Sequence, residues 1–341
     1  MIDEAALPES KRVAVIGAGS WGTALAMVAA RNRHDVRLWA REPEVAACVN
    51  RAHRNPFYLS SFNLPENIHA TTSLEEALAL ADSVLVVVPS HAMREVVGRM
   101  RELVSAETVL VSATKGVENG TLMRMDEVIT DVLGESFTPR FVAISGPSFA
   151  LEVAKGDPTA IVAASRDARL SERVQRELSS NAFRIYTNDD CIGVELGGAI
   201  KNVVAIASGV VRGLGLGTNA VAAIITRGLA EMTRLALAQG ARVETMAGLA
   251  GLGDLVLTCT GELSRNRHVG VELGRGRKLG DILGEMREIA EGVKTTRAIY
   301  ELGLRLEIDM PITASIHALL YEDKPALDAA NELMGRPLKR E

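Results

Sequence analysis

The stretch Gly17-Ala18-Gly19-Ser20-Trp21-Gly22 constrains this chain more than any other. It follows Val13-Ala14-Val15-Ile16, a short apolar run rich in β-branched residues, and precedes the helix-like Thr23-Ala24-Leu25-Ala26-Met27-Val28-Ala29-Ala30. Strand, glycine turn and helix in that order are the local signature of a dinucleotide-binding fold. Gly17 makes the tight turn, Gly19 lets backbone N–H groups reach a pyrophosphate, and Gly22 allows helix and strand to touch. The first helical N–H groups then face the anion, helped by the helix dipole. A glycine-rich turn can also serve packing alone, so the flanking elements matter as much as the motif.

From Arg12 to about Thr187 the sequence keeps alternating short apolar runs with helix-like stretches. Val36-Arg37-Leu38-Trp39, Val84-Leu85-Val86-Val87-Val88, Val109-Leu110-Val111-Ser112-Ala113 and Phe141-Val142-Ala143-Ile144-Ser145 read as strands. That alternation predicts a doubly wound parallel sheet, Rossmann-like, over residues 1–189. Ligands of such sheets sit at the carboxyl ends of the strands. Those ends carry Ala40-Arg41, Pro89-Ser90-His91, Thr114-Lys115-Gly116 and Gly146-Pro147-Ser148-Phe149-Ala150. Lys115, just past a buried strand, is a candidate substrate or cofactor contact, while His91 is equally well a surface residue at a helix start. Arg41 stands where an NAD site usually has an acidic residue for the ribose, and it can pair with a 2′-phosphate; this favours NADP, with NAD open through the neighbouring Glu42.

Beyond Thr187 the texture changes. Asn188-Asp189-Asp190 resembles a linker and helix cap, and residues 190–341 read as a mostly helical second domain without a convincing strand. Apolar residues make up 47% of the chain and charged residues 24%, with a net charge of −5. The balance is that of a globular protein, and no block of Lys and Arg suggests a nucleic-acid partner. Cys48, Cys191 and Cys259 fit neither a disulfide framework nor a zinc site, and the six histidines lack ligand spacing, so no metal is expected. The N-terminus lacks a signal-peptide pattern and no uninterrupted apolar run is long enough to span a membrane, which points to the cytoplasm.

Two glycines and a lysine in Glu195-Leu196-Gly197-Gly198-Ala199-Ile200-Lys201-Asn202 break the local rules for a helix, since such glycines cost about 0.5–1 kcal/mol each and a lysine among apolar neighbours is rarely buried alone. Gly197 and Gly198 share a helix face with Lys201. Either they clear space for a ligand beside an acid/base lysine, or they serve helix packing while Lys201 snorkels to water. Downstream, Gly248-Leu249-Ala250-Gly251-Leu252-Gly253-Asp254 suggests backbone close to a ligand, with Asp254 either anchoring it or capping a helix near Leu255. Ser264-Arg265-Asn266 offers a hydroxyl, a guanidinium fork and an amide suited to a phosphate. Glu291-Gly292, after Ile289-Ala290, fits either a cofactor contact or a helix cap.

The order and spacing of these motifs resemble the bacterial NAD(P)-dependent sn-glycerol-3-phosphate dehydrogenase family over nearly the whole chain. The carriers are Gly17 to Gly22, Val88-Pro89-Ser90, Ala113-Thr114-Lys115-Gly116, Ser145-Gly146-Pro147-Ser148-Phe149-Ala150, Gly198-Ala199-Ile200-Lys201-Asn202, Gly251-Leu252-Gly253-Asp254-Leu255 and Ser264-Arg265-Asn266-Arg267. The resemblance implies a helical C-terminal domain like that of 6-phosphogluconate dehydrogenase. It also implies reversible reduction of dihydroxyacetone phosphate to sn-glycerol 3-phosphate for phospholipid synthesis, and a homodimer. In that family Lys201 would be the general acid/base. Lys115, Gly146, Ser148, Asp254, Ser264, Arg265 and Asn266 would bind substrate. Ser20, Trp21, Arg41, Lys115, Ala150, Arg265, Ile289 and Glu291 would contact the dinucleotide. A related β-hydroxyacid or 6-phosphogluconate-type dehydrogenase shares the glycine turn and the Lys-Asn pair, and a non-catalytic nicotinamide sensor is a third reading that leaves Lys115, Lys201, Asp254 and Arg265 without a purpose.

Overall fold

The computed structural model describes residues 10–105, 107–286 and 290–337. The chain divides into two compact units, one made of Met1–Lys115 and Arg124–Val194, the other of Gly116–Met123 and Glu195–Glu341. The division therefore falls five residues later than the expected 189/190 boundary, and one short segment of the first half belongs to the second unit.

The first unit is built on strands β1 (Arg12–Ile16), β2 (Asp35–Trp39), β3 (Ile68–Thr71), β4 (Ser83–Val86), β5 (Val109–Ser112), β6 (Phe141–Ser145), β7 (Thr159–Ala164) and β8 (Phe183–Asn188). They form one sheet in the order β3-β2-β1-β4-β5-β6-β7-β8. Its helices are α1 (Ser20–Arg31), α2 (Pro43–Ala52), α3 (Leu74–Leu78), α4 (Met93–Met100), α5 (Met125–Leu133), α6 (Ala150–Lys155) and α7 (Ala168–Leu178). β4 and β5 are buried at every residue, which is why they read as unbroken apolar runs rather than alternating ones. α1 is buried continuously from Gly22 to Ala30, so small residues replace the polar stripe of a surface helix.

β1 to β6 run parallel in the Rossmann order, but β7 is antiparallel to β6 and parallel to β8, so the sheet is mostly rather than wholly parallel. The length of α6 explains the reversal. Its six residues cover ~9 Å, too little to carry the chain back along a five-residue strand of ~17 Å, so β7 starts from the end where β6 stops. Three strands are unmarked in the sequence. β3 and β8 are edge strands with an alternating burial pattern, and β7, Thr-Ala-Ile-Val-Ala-Ala, is as alanine-rich as a helix.

The second unit is helical among its described residues: α8 (Cys191–Gly213, whose first residues belong to the first unit), α9 (Thr218–Ala238), α10 (Val243–Ala247), a π-helical turn Leu249–Gly253, α11 (Asp254–Thr260), α12 (Arg265–Gly274), α13 (Leu279–Glu285), α14 (Glu291–Arg305), α15 (Pro311–Tyr321) and α16 (Ala326–Met334). Asp190 Oδ1 accepts the Gly193 N–H at 2.8 Å and so caps α8 as its sequence suggests. Among the described residues α8 is the one helix long and apolar enough to cross a membrane, yet its apolar stretch is wholly buried in the protein, as a core helix.

Glycines let α8 meet its neighbours backbone to backbone. A Cβ on Gly209 would lie 2.1 Å from the Arg267 carbonyl oxygen, and one on Gly270 would lie 2.0 Å from that of Ile206. On α9, the fully buried Glu231 accepts hydrogen bonds from Ile312 N (2.6 Å), Thr313 N (3.2 Å) and Thr313 Oγ1 (3.2 Å), supplying from another helix the cap that Met310 does not provide for α15.

Candidate active site

The glycine turn of the first unit divides its labour sharply. Gly17 has φ +118° and a Cβ there would sit 2.4 Å from Val87 O; a Cβ on Gly22 would sit 1.8 Å from Gly17 O. Both positions exclude any other residue. A Cβ on Gly19 meets nothing within 4 Å among the described residues, so this glycine keeps space open rather than filling it. The N-cap Gly19 offers no side chain to the helix end and no acidic residue stands in the first turn of α1, an arrangement suited to an anion. The Trp21 indole N–H is buried and, among the described residues, without a hydrogen-bond partner. Such a group costs about 1–3 kcal/mol, relieved by an acceptor on a bound ligand. These features fit a dinucleotide pyrophosphate.

Asn55, fully buried and unmarked in the sequence reading, locks this turn. Its Nδ2 donates to Ala18 O and to Thr23 Oγ1, both at 2.9 Å, and its Oδ1 accepts the N–H groups of Phe57 and Tyr58 at 3.1 Å. The amide is thereby saturated. An Asn before Pro56 signals only a local turn in the sequence, and its long-range role is invisible there.

At the end of β2 Arg41 is largely exposed and donates from Nε and Nη2 to Glu42 Oε1 at 3.2 and 2.8 Å, so the two residues that the sequence offers as alternatives for the ribose are paired with each other. At the ends of β5 and β6, Lys115 Nζ and Ser148 Oγ both donate to the Gly146 carbonyl, at 3.2 and 3.0 Å. Gly146 itself has φ +144°, and a Cβ there would lie 2.9 Å from Ile161 Cα of β7. Lys115, Gly146 and Ser148 thus form one cluster. Ala150 opens α6 and packs, like Trp21, against the core of the unit. His91 is exposed in a 3₁₀ turn before α4.

In the second unit the structure brings Lys201 and Asp254 together. The Lys201 ammonium donates to Asp254 Oδ1 and, at 2.9 Å, to Thr258 Oγ1; both charged residues are buried. The Thr258 hydroxyl in turn donates to the Asp254 carbonyl one helical turn back, at 2.6 Å. A Cβ on Gly197 would lie 2.6 Å from Ala250 O, so at that position the room beside Lys201 is taken by the backbone of the π-helical turn that delivers Asp254. Helix packing is therefore what Gly197 serves, and Lys201 does not snorkel. Gly253, not Asp254, is the N-cap of α11, leaving the carboxylate to the lysine. Thr258 escaped the sequence reading, although its place four residues after Asp254 puts it on the same face. Burial pushes the neighbouring Cys259 thiol up to about 12, against the pull of the nearby Lys201 charge, so it stays protonated.

α12 starts beside this pair. Ser264 is its N-cap and accepts the Arg267 N–H at 3.2 Å; Arg265 is exposed and Asn266 buried. Asn266 Nδ2 donates to Asn202 Oδ1 and Asn266 Oδ1 accepts the Gly292 N–H, both at 2.9 Å. Glu291 is half-buried at the first position of α14. Ile289 lies outside the described residues.

A Rossmann sheet with an open glycine turn before its first helix, joined in one chain to a helical unit that buries a lysine on a carboxylate, defines a nicotinamide-dinucleotide-dependent dehydrogenase. Comparison with known proteins narrows the class. The family descriptions "NAD-dependent glycerol-3-phosphate dehydrogenase N-terminus" and "C-terminus" match residues 12–171 and 190–331. A glycerol-3-phosphate dehydrogenase (NAD(P)+) of Koribacter versatilis is 57% identical over 96% of this chain and 97% of its own length, and that of Geobacter sulfurreducens is 53% identical over 97% and 99%. The crystal structure of glycerol-3-phosphate dehydrogenase from Coxiella burnetii superposes with a TM-score of 0.92 at 42% identity, covering 96% of this chain and all of that one. The chain belongs to the NAD-dependent glycerol-3-phosphate dehydrogenase family.

Proposed function

We propose that this chain catalyses the reversible NAD(P)H-dependent reduction of dihydroxyacetone phosphate to sn-glycerol 3-phosphate, supplying glycerophospholipid synthesis. The observation that carries the reading is Lys201, buried and held by Asp254 and Thr258. The dinucleotide would be held by Gly17, Gly19, Ser20, Trp21, Gly22, Arg41, Lys115, Ala150, Arg265, Ile289 and Glu291, and when bound it supplies the hydride. Arg41 favours NADPH by offering a guanidinium fork to the 2′-phosphate.

Reduction of a ketone builds negative charge on its oxygen. Lys201 stabilises that charge and donates the proton, and in the reverse direction it takes the proton back. Asp254 and Thr258 fix the direction in which Nζ points. Lys115, Gly146 and Ser148 border the substrate, with Lys115 polarising the carbonyl. Ser264, Arg265 and Asn266 hold the phosphate, so that binding energy far from the reacting carbon orients it. The three free cysteines suit a cytoplasmic location. A homodimer follows from the family resemblance and is checked by sedimentation.

The test mixes the purified protein with NADPH and dihydroxyacetone phosphate and follows nicotinamide absorbance. Oxidation that requires this substrate is the expected result. Cofactor binding without oxidation, or oxidation only with a carboxylate substrate, overturns the reading.

A further inference from the structure

Lys201, Arg265 and Glu291 are far apart in the sequence, but each is followed by a member of one buried hydrogen-bonded chain. Asn202 follows Lys201 in α8, Asn266 follows Arg265 in α12, and Gly292 follows Glu291 in α14. All three are buried. The chain has a direction: Gly292 N–H donates to Asn266 Oδ1, and Asn266 Nδ2 donates to Asn202 Oδ1, each at 2.9 Å. Asn202 Nδ2 is oriented towards the Gly198 carbonyl one turn back, at 3.5 Å.

Two further facts give this chain leverage on the site. Ala290, the N-cap of α14, makes no side-chain cap, so Asn266 satisfies one of the orphan N–H groups of α14 from a different helix. And a Cβ on Gly292 would lie 2.8 Å from both Asn202 O and Asn266 Oδ1, so the start of α14 rests directly on α8 and α12. An amide has nearly the same shape when flipped by a half-turn. The Gly292 N–H and the acceptor oxygen of Asn202 together hold Asn266 in this orientation, since the flipped arrangement would leave buried donors facing donors and buried oxygens facing oxygens.

We propose that Asn202 is a positioning residue for the reaction, which through Asn266 and Gly292 sets where the phosphate-binding start of α12 and the cofactor-binding start of α14 stand relative to Lys201. It acts without touching substrate or cofactor itself. The inference rests on the proposed roles of Lys201, Arg265 and Glu291.

The test is a double-mutant cycle in the full-length protein, with KM for dihydroxyacetone phosphate, kcat and the NADPH dissociation constant from fluorescence titration read for each variant. Asn202→Ala is expected to raise the substrate KM at least about tenfold and to weaken NADPH binding several-fold, with kcat reduced less than KM is raised. In an Asn266→Ala background the same substitution is expected to change none of these further, because the group it acts through is gone. Gly292→Ala, which breaks the other end of the chain, is expected to weaken NADPH binding more than substrate binding, and it serves as the test if Asn202→Ala does not fold.

Additive effects in the cycle would overturn the proposal, since they would mean that Asn202 acts independently of Asn266. So would an Asn202→Ala variant with a lowered melting temperature but unchanged constants. Arg265→Ala separates the two levels. If it leaves the substrate KM unchanged the phosphate reading itself fails, whereas a raised KM in Arg265→Ala beside an unaffected Asn202→Ala refutes only the positioning role.

Discussion

Lys201 and Asp254 form a buried ion pair across 53 positions of sequence. Taking one charge away from such a pair leaves the other desolvated and unpaired, which costs on the order of 3–5 kcal/mol, whereas replacing both by apolar residues is often neutral. Lys201→Ala is therefore expected to abolish turnover, to lose stability of that order, and to bind NADPH nearly as the wild type does. Lys201→Met combined with Asp254→Leu should recover most of the stability and none of the turnover. Urea unfolding and steady-state assays on the two variants separate the roles. Wild-type-like turnover in Lys201→Ala would remove the lysine from acid/base chemistry.

Gly19 and Gly22 are predicted to part company on substitution. Gly19→Ala adds a methyl group to open space, so it should fold with a nearly unchanged melting temperature while NADPH affinity falls at least about tenfold, because the methyl occupies the approach of the pyrophosphate. Gly22→Ala drives a Cβ into Gly17 O and should lower the melting temperature as well as the affinity. Thermal melts and fluorescence titration of both variants make the comparison; equal loss of stability in both would refute the division of roles.

Arg41 should decide the cofactor ratio. Its ion pair with Glu42 is exposed, and exposed pairs are worth about 0–1 kcal/mol, so a 2′-phosphate can take the guanidinium from the carboxylate. Arg41→Ala should lower the ratio of kcat/KM for NADPH to that for NADH by about ten- to a hundredfold, the value of hydrogen bonds to a charged group. A ratio left unmoved would sink the assignment.

Glu231 should make stability depend on pH. Burial pushes its carboxyl up from 4.5 to about 7, only partly opposed by the hydrogen bonds from Ile312 and Thr313 and by Arg234. A carboxyl whose proton is held more tightly in the folded chain adds stability below pH 4.5, and this is lost as pH rises through about 7. The change is on the order of 3 kcal/mol, at about 1.4 kcal/mol per tenfold difference in proton affinity. The wild type should therefore lose stability between pH 5 and pH 7.5 relative to Glu231→Gln, which does not titrate. Parallel urea midpoints in the two proteins would contradict this.

The glycine turn was legible because its physics is local. Gly17, Gly19 and Gly22 lie within one turn between a strand and a helix; Gly17 and Gly22 are required by backbone of the turn itself and of the end of the neighbouring strand, while Gly19 keeps open space. β1, β4, β5 and β6 were legible for a similar reason, since burial on both faces leaves an apolar run. β7 was not, because its direction follows from the shortness of α6 and not from its own residues. Asn55 was missed because its partners, Ala18 and Thr23, are 37 and 32 positions away.

The sequence by itself determined which chemical groups this protein has to work with and on which elements they stand: the anion cradle before α1, the lysines, the Ser-Arg-Asn run. Only the tertiary structure decided what Lys201, Gly197 and Asn266 do. On sequence alone Lys201 could snorkel, Gly197 could leave room for a ligand, and Asn266 could face solvent. The packing of α8 against the Ala250 backbone, and of α12 and α14 around Asn202, closes those choices. Propensity and periodicity report what a residue does within about four positions of itself. A buried charge or amide is instead defined by the partner that compensates its lost hydration, and here those partners arrive from 26 to 64 positions away.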